Sequence, residues 1–430
     1  TKVLIISPKV VMRSAWGKEI VNHFLHLDYC IKEKKARDLV STAKIDIINH
    51  DGLTTMLKKY SKSISHGENK RVMYDFTNCV HLYDVIIYDE ATAIKTVTTA
   101  RWKTLNKYFE YMHSRNDTKL LLITGTPIAQ SPVDAYAQAK LINPSRVPSS
   151  LTKWRDLTMR QIDYNGYKFE ANEQAHALCT YALQPSVRFE LSDSTDLPDH
   201  TFIDIVVEKT ERQHKLFNQM ARDFIMSVDS ETDITAINGA AKATKLLQLL
   251  AGAVYDSEKN VVEVEATNKV EALCELINQL PPEQPVVVFA EYKMIQQLLK
   301  DKLAPIYDTV EVINGETSGE ERSMIVERVL NCKTKVVIAH PATCSMGVDF
   351  TSTNVIIWYS PTYRSELYLQ PLDRIRRLSS LDKGFDKFFV YHLVSDPVEI
   401  DIYRGLHDKS ANQDAILQRM RDRLIEQIAY

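Results

Sequence analysis

The chain has 430 residues, 44% hydrophobic and 25% charged, the composition of an ordinary globular protein long enough for two or three domains and a sizeable core. No run of eighteen or more apolar residues occurs, and a formal net charge of -3 excludes a uniformly basic nucleic-acid coat protein, so any such contact must come from a local groove. The six cysteines are scattered without a Cys-x-x-Cys pair, and the first residues read as a strand running into a turn; the expectation is a reducing compartment, cytoplasmic in a bacterial or phage-infected cell or else nuclear, and no secretion.

In chain order, short β-branched runs at 3–6, 45–48, 85–88 and 120–124 alternate with amphipathic stretches. Residues 144–266 change character, with helical segments, a Ser/Asp/Thr cluster at 192–196 and one alternating strand at 201–207. Apolar runs return at 286–289, 335–339, 355–359 and 388–394, with a helical pattern at 323–330 between them, and after 394 the chain is helical and charged. Continuous apolar runs of this length between helical patterns are what strands of a parallel sheet look like when both faces are covered. The predicted fold class is therefore α/β. Its expected organisation is a first parallel-sheet domain over residues 1–144, a helical protrusion and linker over 145–266, a second parallel-sheet domain over 267–395 and a helical C-terminal extension over 396–430.

The strongest local signal is Tyr83-Asp84-Val85-Ile86-Ile87-Tyr88-Asp89-Glu90, an apolar strand that delivers two adjacent carboxylates at its carboxyl end. Open α/β sheets bind ligands at that end, and phosphoryl transfer needs one carboxylate for Mg2+ and another group to orient water. Asp89 suits the metal and Glu90 the water; an acidic cap on the following helix is the alternative. A second strand ends in Thr124-Gly125-Thr126-Pro127, small residues that could relay the state of a γ-phosphate, or form only a turn. Farther on, Gln370-Pro371-Leu372-Asp373-Arg374-Ile375-Arg376-Arg377 would put Arg374 and Arg377 on one helical face, an arginine-finger arrangement whose alternative is a surface charge run. Before it, in Ala342-Thr343-Cys344-Ser345-Met346-Gly347-Val348-Asp349-Phe350, a strand is expected to end in small residues and one Gly that offer close backbone approach to phosphate.

In order along nearly the whole chain, these pieces resemble the superfamily 2 helicases, and in detail the Swi/Snf-type DNA translocases, in a form similar to compact phage members. Leu4-Ile5-Ile6-Ser7-Pro8 with Trp16 resembles motif Ia, and Asp89-Glu90-Ala91-Thr92 with Ile94-Lys95 resembles motif II. Leu122 through Pro144 resembles motif III with its following helix, and Val286-Val287-Val288-Phe289 resembles motif IV. Ser345 through Phe350 and Gln370 through Arg377 resemble motifs V and VI. The resemblance implies two RecA-like lobes, ATP and Mg2+ in a cleft between them, and DNA, duplex or branched, held through its backbone. It implies catalytic roles for Asp89, Glu90, Arg374 and Arg377, with Asp89 at the metal. It further implies nucleotide contact by Gly347, Asp349 and Gln370, coupling through Thr124, Gly125 and Thr126, and nucleic-acid contact by Pro8, Lys9, Lys95 and Thr343.

Three departures from the family pattern stand out. Thr92 occupies the usual histidine position, no basic element matches around Ser186-Val187-Arg188-Phe189, and no Gly-Lys-Thr or Gly-Lys-Ser occurs in the sequence. Because the family places that phosphate loop before motif Ia, the chain is expected to be the remainder of a longer protein, to bind ATP poorly as it stands, and to leave apolar surface around Ile5. Lys32, Lys34 and Lys35 read as a solvated helix face. The histidines, His50 and His340 among them, lack metal-ligand spacing, and Trp16, Trp102, Trp154 and Trp358 read as packing anchors. Two other functions remain open, an RNA helicase of the same superfamily and a catalytically silent scaffold that binds DNA or a partner.

Overall fold

The first apolar run forms strand β1 (Val3–Ser7), whose neighbours in space lie far from it in sequence. The computed structural model describes residues 1–9, 11–32, 41–59, 61–66, 69–74, 76, 83–113, 118–125, 127–128, 131–161, 169–189, 197–228, 233–256, 258–346, 348–407 and 413–429. It divides into two units, Thr1–Arg188 and Phe189–Tyr430.

In the first unit β1 is followed by α1 (Lys18–His23), β2 (Tyr29–Lys32), β3 (Ile45–Asn49), α2 (His50–Lys58), a hairpin of β4 (Ser61–His66) and β5 (Asn69–Tyr74), then β6 (Val85–Asp89), α3 (Ala100–His113) and β7 (Lys119–Ile123). After them come α4 (Asp134–Ile142), α5 (Leu151–Thr158), the hairpin β8 (Met159–Gln161) and β9 (Phe169–Ala171), and α6 (Ala175–Ala182). The main sheet has the order β2-β3-β1-β6-β7, and every pairing is parallel. Alternation along its strands covers both faces: Leu4, Ile6, Ile48 and Ile86 pack on α2, α3 and α4, while Ile5, Ile45 and Ile47 pack on Met12 and Ile20.

Two expectations are corrected here. Ile5 is buried at 2% exposure, and the apolar surface of this sheet lies instead on its edge strand β7, where Leu121 and Ile123 are 48% and 43% exposed. An edge strand has a neighbour on one side only, so its side chains have less to pack against. Lys32 is not on a solvated helix; it ends β2, is buried, and lies 3.7 Å from the fully buried Asp46. Lys2 at 3.3 Å, the Tyr83 hydroxyl at 2.8 Å, and the hydroxyl and amide of Ser41 add to the compensation of that carboxylate. Lys34 and Lys35 lie outside the described residues.

The second unit opens with β10 (His200–Val206), the helical pair α7 (Glu211–Val228) and α8 (Asp233–Ala251), and the small hairpin of β11 (Ala253–Tyr255) and β12 (Val261–Glu263). It continues through α9 (Thr267–Asn278), β13 (Val286–Phe289), α10 (Lys293–Leu303), β14 (Val310–Ile313), α11 (Gly319–Leu330), β15 (Val336–Ala339) and β16 (Val355–Trp358). It ends with α12 (Ser365–Ile375), α13 (Leu378–Leu381), β17 (Phe388–Val394), α14 (Pro397–His407) and α15 (Gln413–Ala429). The sheet order is β10-β17-β16-β13-β15-β14, again parallel throughout. Val286 and Val288 of β13 face Leu273, Ile277, Ile295 and Leu299, whereas Val287 and Phe289 face Ile325, Val329, Tyr368 and Leu372. That double coverage is why the run is uninterruptedly apolar.

The alternating strand that sequence places in the linker pairs with β17 from His200 opposite Phe388 to Val206 opposite Val394, and so becomes an edge of this sheet. The C-terminal helices are also part of the unit, with Val398, Ile402, Tyr403, Leu406, Met420 and Leu424 all in its core. Among the described residues no helix is long and apolar enough to cross a membrane.

Candidate nucleotide site

Asp89 is the last residue of β6, held between β1 and β7, so its carboxylate emerges at the carboxyl end of the parallel sheet. Its two oxygens are oriented by different donors: Trp16 Nε1–H reaches Oδ2 at 2.8 Å, and the Glu90 amide reaches Oδ1 at 3.0 Å. His50, the first residue of α2, donates from Nε2 to the Asp89 carbonyl at 2.9 Å, and its ring stacks on Tyr88 at 4.8 Å. Burial pushes the His50 pKa below the ordinary histidine value, so the ring is neutral at pH 7. Trp16 and His50 are the residues that sequence reasoning undervalued. Trp16 is more than a packing anchor: it belongs to the segment that resembles motif Ia, but nothing local announces a contact across 73 positions.

Glu90 follows at φ 55° and ψ 60°, a left-handed conformation that costs a residue with a side chain about 1–2 kcal/mol. Such strain persists where surrounding structure enforces it. Thr92 donates its hydroxyl to Glu90 Oε1 at 2.6 Å, so the residue that replaces the family's histidine fixes the second carboxylate. The helix-cap alternative is not what the geometry shows: neither carboxylate caps the short 3-10 turn Ala91–Ile94, whose N-cap makes no side-chain hydrogen bond.

Of the other residues singled out in this unit, Pro8 is half-buried, Lys9 exposed and Lys95 half-buried at the end of that 3-10 turn. Thr124 is half-buried beyond β7, Gly125 is exposed, and a Cβ built on Gly125 would meet nothing within 4 Å. Thr126 lies outside the described residues.

In the second unit the single helix expected through Gln370 and Arg377 stops at Ile375. Arg377 is extended at φ -134° and ψ 163°, capping α13, so it and Arg374 do not share a helical face. Arg376 turns inward and donates to the carbonyls of Pro198 and Leu197 at 2.8 Å. Arg377 instead pairs with Asp349 at 3.8 Å, both about one-third exposed, while the Phe350 amide donates to the Arg374 carbonyl at 3.3 Å. The motif V and motif VI segments are thereby stitched side by side. Gln370 donates to Glu366 at 3.3 Å, and its buried Oε1 has no partner among the described residues. Thr343 is buried, with its hydroxyl donating to the His340 carbonyl at 2.6 Å, and Gly347 lies outside the described residues.

Mg2+ fits the first of these clusters. After the Trp16 and Glu90 bonds each Asp89 oxygen keeps a lone pair, and a hydrated Mg2+ needs only one or two carboxylates when phosphate and water complete its shell. Among the described residues no cage of three or more metal-ligating side chains exists, as a metal shared with phosphate does not require one.

The first parallel α/β unit thus carries a carboxylate pair at a strand end, and the second an Asp paired with an Arg in the segments that follow its strands. The SNF2-related domain matches residues 1–261 and the helicase conserved C-terminal domain matches residues 268–379, and the chain belongs to the SNF2-related family. The phage protein p41 of Acyrthosiphon pisum secondary endosymbiont phage 1 is 24% identical over 97% of this chain and 88% of its own length. The SWI/SNF-related matrix-associated actin-dependent regulator of chromatin subfamily A-like protein 1 of Xenopus tropicalis is 21% identical over 88% of this chain, which spans 37% of that protein. The solved SWI2/SNF2 ATPase core of Sulfolobus solfataricus in complex with dsDNA is 19% identical, with 98% of this chain and 83% of that one covered and a TM-score of 0.43.

Proposed function

We propose that the chain is the motor part of an ATP-dependent translocase that moves on duplex or branched DNA. The observation that carries this reading is the Asp89-Glu90 pair at a parallel strand end, with Glu90 forced into a left-handed conformation and held by Thr92, in a member of the SNF2-related family. Asp89, oriented by Trp16, holds Mg2+ with the ATP phosphates, and that ion supplies neutralisation of their charge. Glu90 orients the attacking water. Arg374 and Arg377 supply positive charge to the transferring phosphate, with Gly347, Asp349 and Gln370 at the nucleotide. Thr124, Gly125 and Thr126 report the phosphate state, and Pro8, Lys9, Lys95 and Thr343 lie toward the nucleic acid. Contact mainly with phosphates makes binding tolerant of sequence and steeply salt-dependent.

The test is ATP turnover by the full natural polypeptide with duplex DNA, single-stranded DNA and RNA compared, together with displacement of a triplex-forming strand. Duplex-stimulated turnover with triplex displacement supports the reading. Stimulation by RNA alone favours an RNA helicase, and no stimulation by any nucleic acid favours a silent scaffold.

A further inference from the structure

Four titratable side chains from four elements of the second unit form one hydrogen-bonded chain that the nucleotide chemistry does not use. His392 Nδ1 of β17 lies 2.7 Å from Asp204 Oδ1 of β10, and the Tyr368 hydroxyl of α12 lies 2.8 Å from His392 Nε2 and 3.0 Å from His407 Nε2 of α14. The Tyr403 ring stacks on His392 at 3.8 Å and 10°, and Phe202 meets His407 edge-on at 4.1 Å. His392 and Tyr368 are buried, whereas Asp204 and His407 reach the surface.

The proton positions follow from the contacts. Burial pushes both imidazoles below the ordinary histidine value, and the His392 hydrogen bond holds Asp204 ionised. An ionised Asp204 only accepts, so His392 donates from Nδ1 and its Nε2 accepts from the tyrosine hydroxyl. The Tyr368 oxygen then accepts from His407 Nε2–H. Three contacts use three protons in one consistent set, so both histidine tautomers are fixed.

The chain is placed where a helix needs support. Tyr368 stands in α12, two residues before Gln370 and six before Arg374, and Pro371 within the same helix has no N–H for the Leu367 carbonyl. Trp358 and Tyr403 flank the Tyr368 ring at 5.0 and 5.9 Å, so the hydroxyl is the one polar fastening of that ring.

We propose that Tyr368 is a positioning residue, and that the Asp204–His392–Tyr368–His407 chain fastens the arginine-bearing helix α12 to β10, β17 and α14. The importance of holding that helix rests on the role assigned to Arg374 and Arg377; the fastening itself does not.

Amide hydrogen exchange of the full chain, read peptide by peptide, tests this. Tyr368→Phe should raise exchange across 365–375 by about tenfold or more while β13 and α10 exchange as in the parent. Asp204→Asn, whose amide oxygen still accepts from His392, should exchange like the parent, and Asp204→Leu should follow Tyr368→Phe. Should Tyr368→Phe fail to fold, the Asp204→Leu and Asp204→Asn pair carries the same test from the surface end. Unchanged exchange in 365–375, or a rise shared equally by β13 and α10, overturns the proposal. Because exchange is independent of turnover, full activity of Arg374→Ala and Arg377→Ala would remove the nucleotide role and leave the fastening standing.

Discussion

Trp16 donates its indole N–H to Asp89 Oδ2 at 2.8 Å, and so a residue of the segment after β1 aims the carboxylate at the end of β6. A hydrogen bond to a charged group contributes about 1.5–3 kcal/mol. Trp16→Phe keeps much of the ring volume and removes the donor. Its turnover in the full natural polypeptide should fall about tenfold or more, with a raised Mg2+ requirement, because the carboxylate proposed to hold the metal loses one of its two orienting bonds. A Mg2+ titration of ATP turnover checks this, and an unchanged titration would return Trp16 to a packing role.

Glu90 sits in left-handed space, where glycine carries no side-chain penalty. Glu90→Gly should therefore gain up to about 1 kcal/mol of stability at this position while abolishing turnover, stability and activity moving in opposite directions. Urea unfolding beside an ATPase assay measures both; a destabilised Glu90→Gly would show that its side-chain bond with Thr92 outweighs the backbone strain. Thr92→Val, which loses the 2.6 Å bond to Glu90, should lower turnover without changing the fold.

The parallel strands were legible because runs such as Val286-Val287-Val288-Phe289 have no polar side to hide, and only a sheet covered on both faces asks for that. Edge strands were harder. Tyr29-Cys30-Ile31-Lys32 mixes a buried lysine with half-buried residues because its pattern answers to Asp46 on the neighbouring strand β3, a pairing that no local window sees. The strand-end placement of Asp89, with Glu90 after it, was legible because the apolar run that leads to it is local. The end of α12 was not, since Arg376 and Arg377 are good helix formers and the break follows from the pull of Arg376 toward the carbonyls of Leu197 and Pro198, a tertiary contact that overrides propensity.

Acid should weaken the second unit through His200. Burial pushes its pKa down to about 4, while its Nε2–H donates to the Leu372 carbonyl at 3.1 Å. The unfolded chain binds the proton more tightly, so stability is full above about pH 6.5 and is lost as pH falls from there toward about 4, by at most about 3 kcal/mol. His200→Gln keeps a donor and cannot titrate, so its unfolding free energy should vary less with pH across that window. Parallel curves for parent and variant would contradict this.

Lys269 and Glu399 form a buried pair at 3.0 Å, and Glu399 also accepts from the Ser395 amide at 2.6 Å. Lys269→Met strands a buried carboxylate and should cost about 3–5 kcal/mol. Adding Glu399→Leu should recover only part of that, because the Ser395 N–H is then left without its acceptor at about 1–3 kcal/mol. Denaturant midpoints of the parent, single and double variants decide it; full recovery would mean that the amide finds another partner.

The central claim, that this family member couples ATP hydrolysis at Asp89 and Glu90 to duplex DNA, meets its most direct test in phosphate release by the full natural polypeptide with and without duplex DNA, parent against Glu90→Gln. Duplex DNA should clearly stimulate the parent, and Glu90→Gln should still bind ATP but release phosphate slower by about two orders of magnitude or more, as the loss of a water-orienting carboxylate requires. Equal phosphate release by parent and variant, or a parent indifferent to duplex DNA, would contradict it.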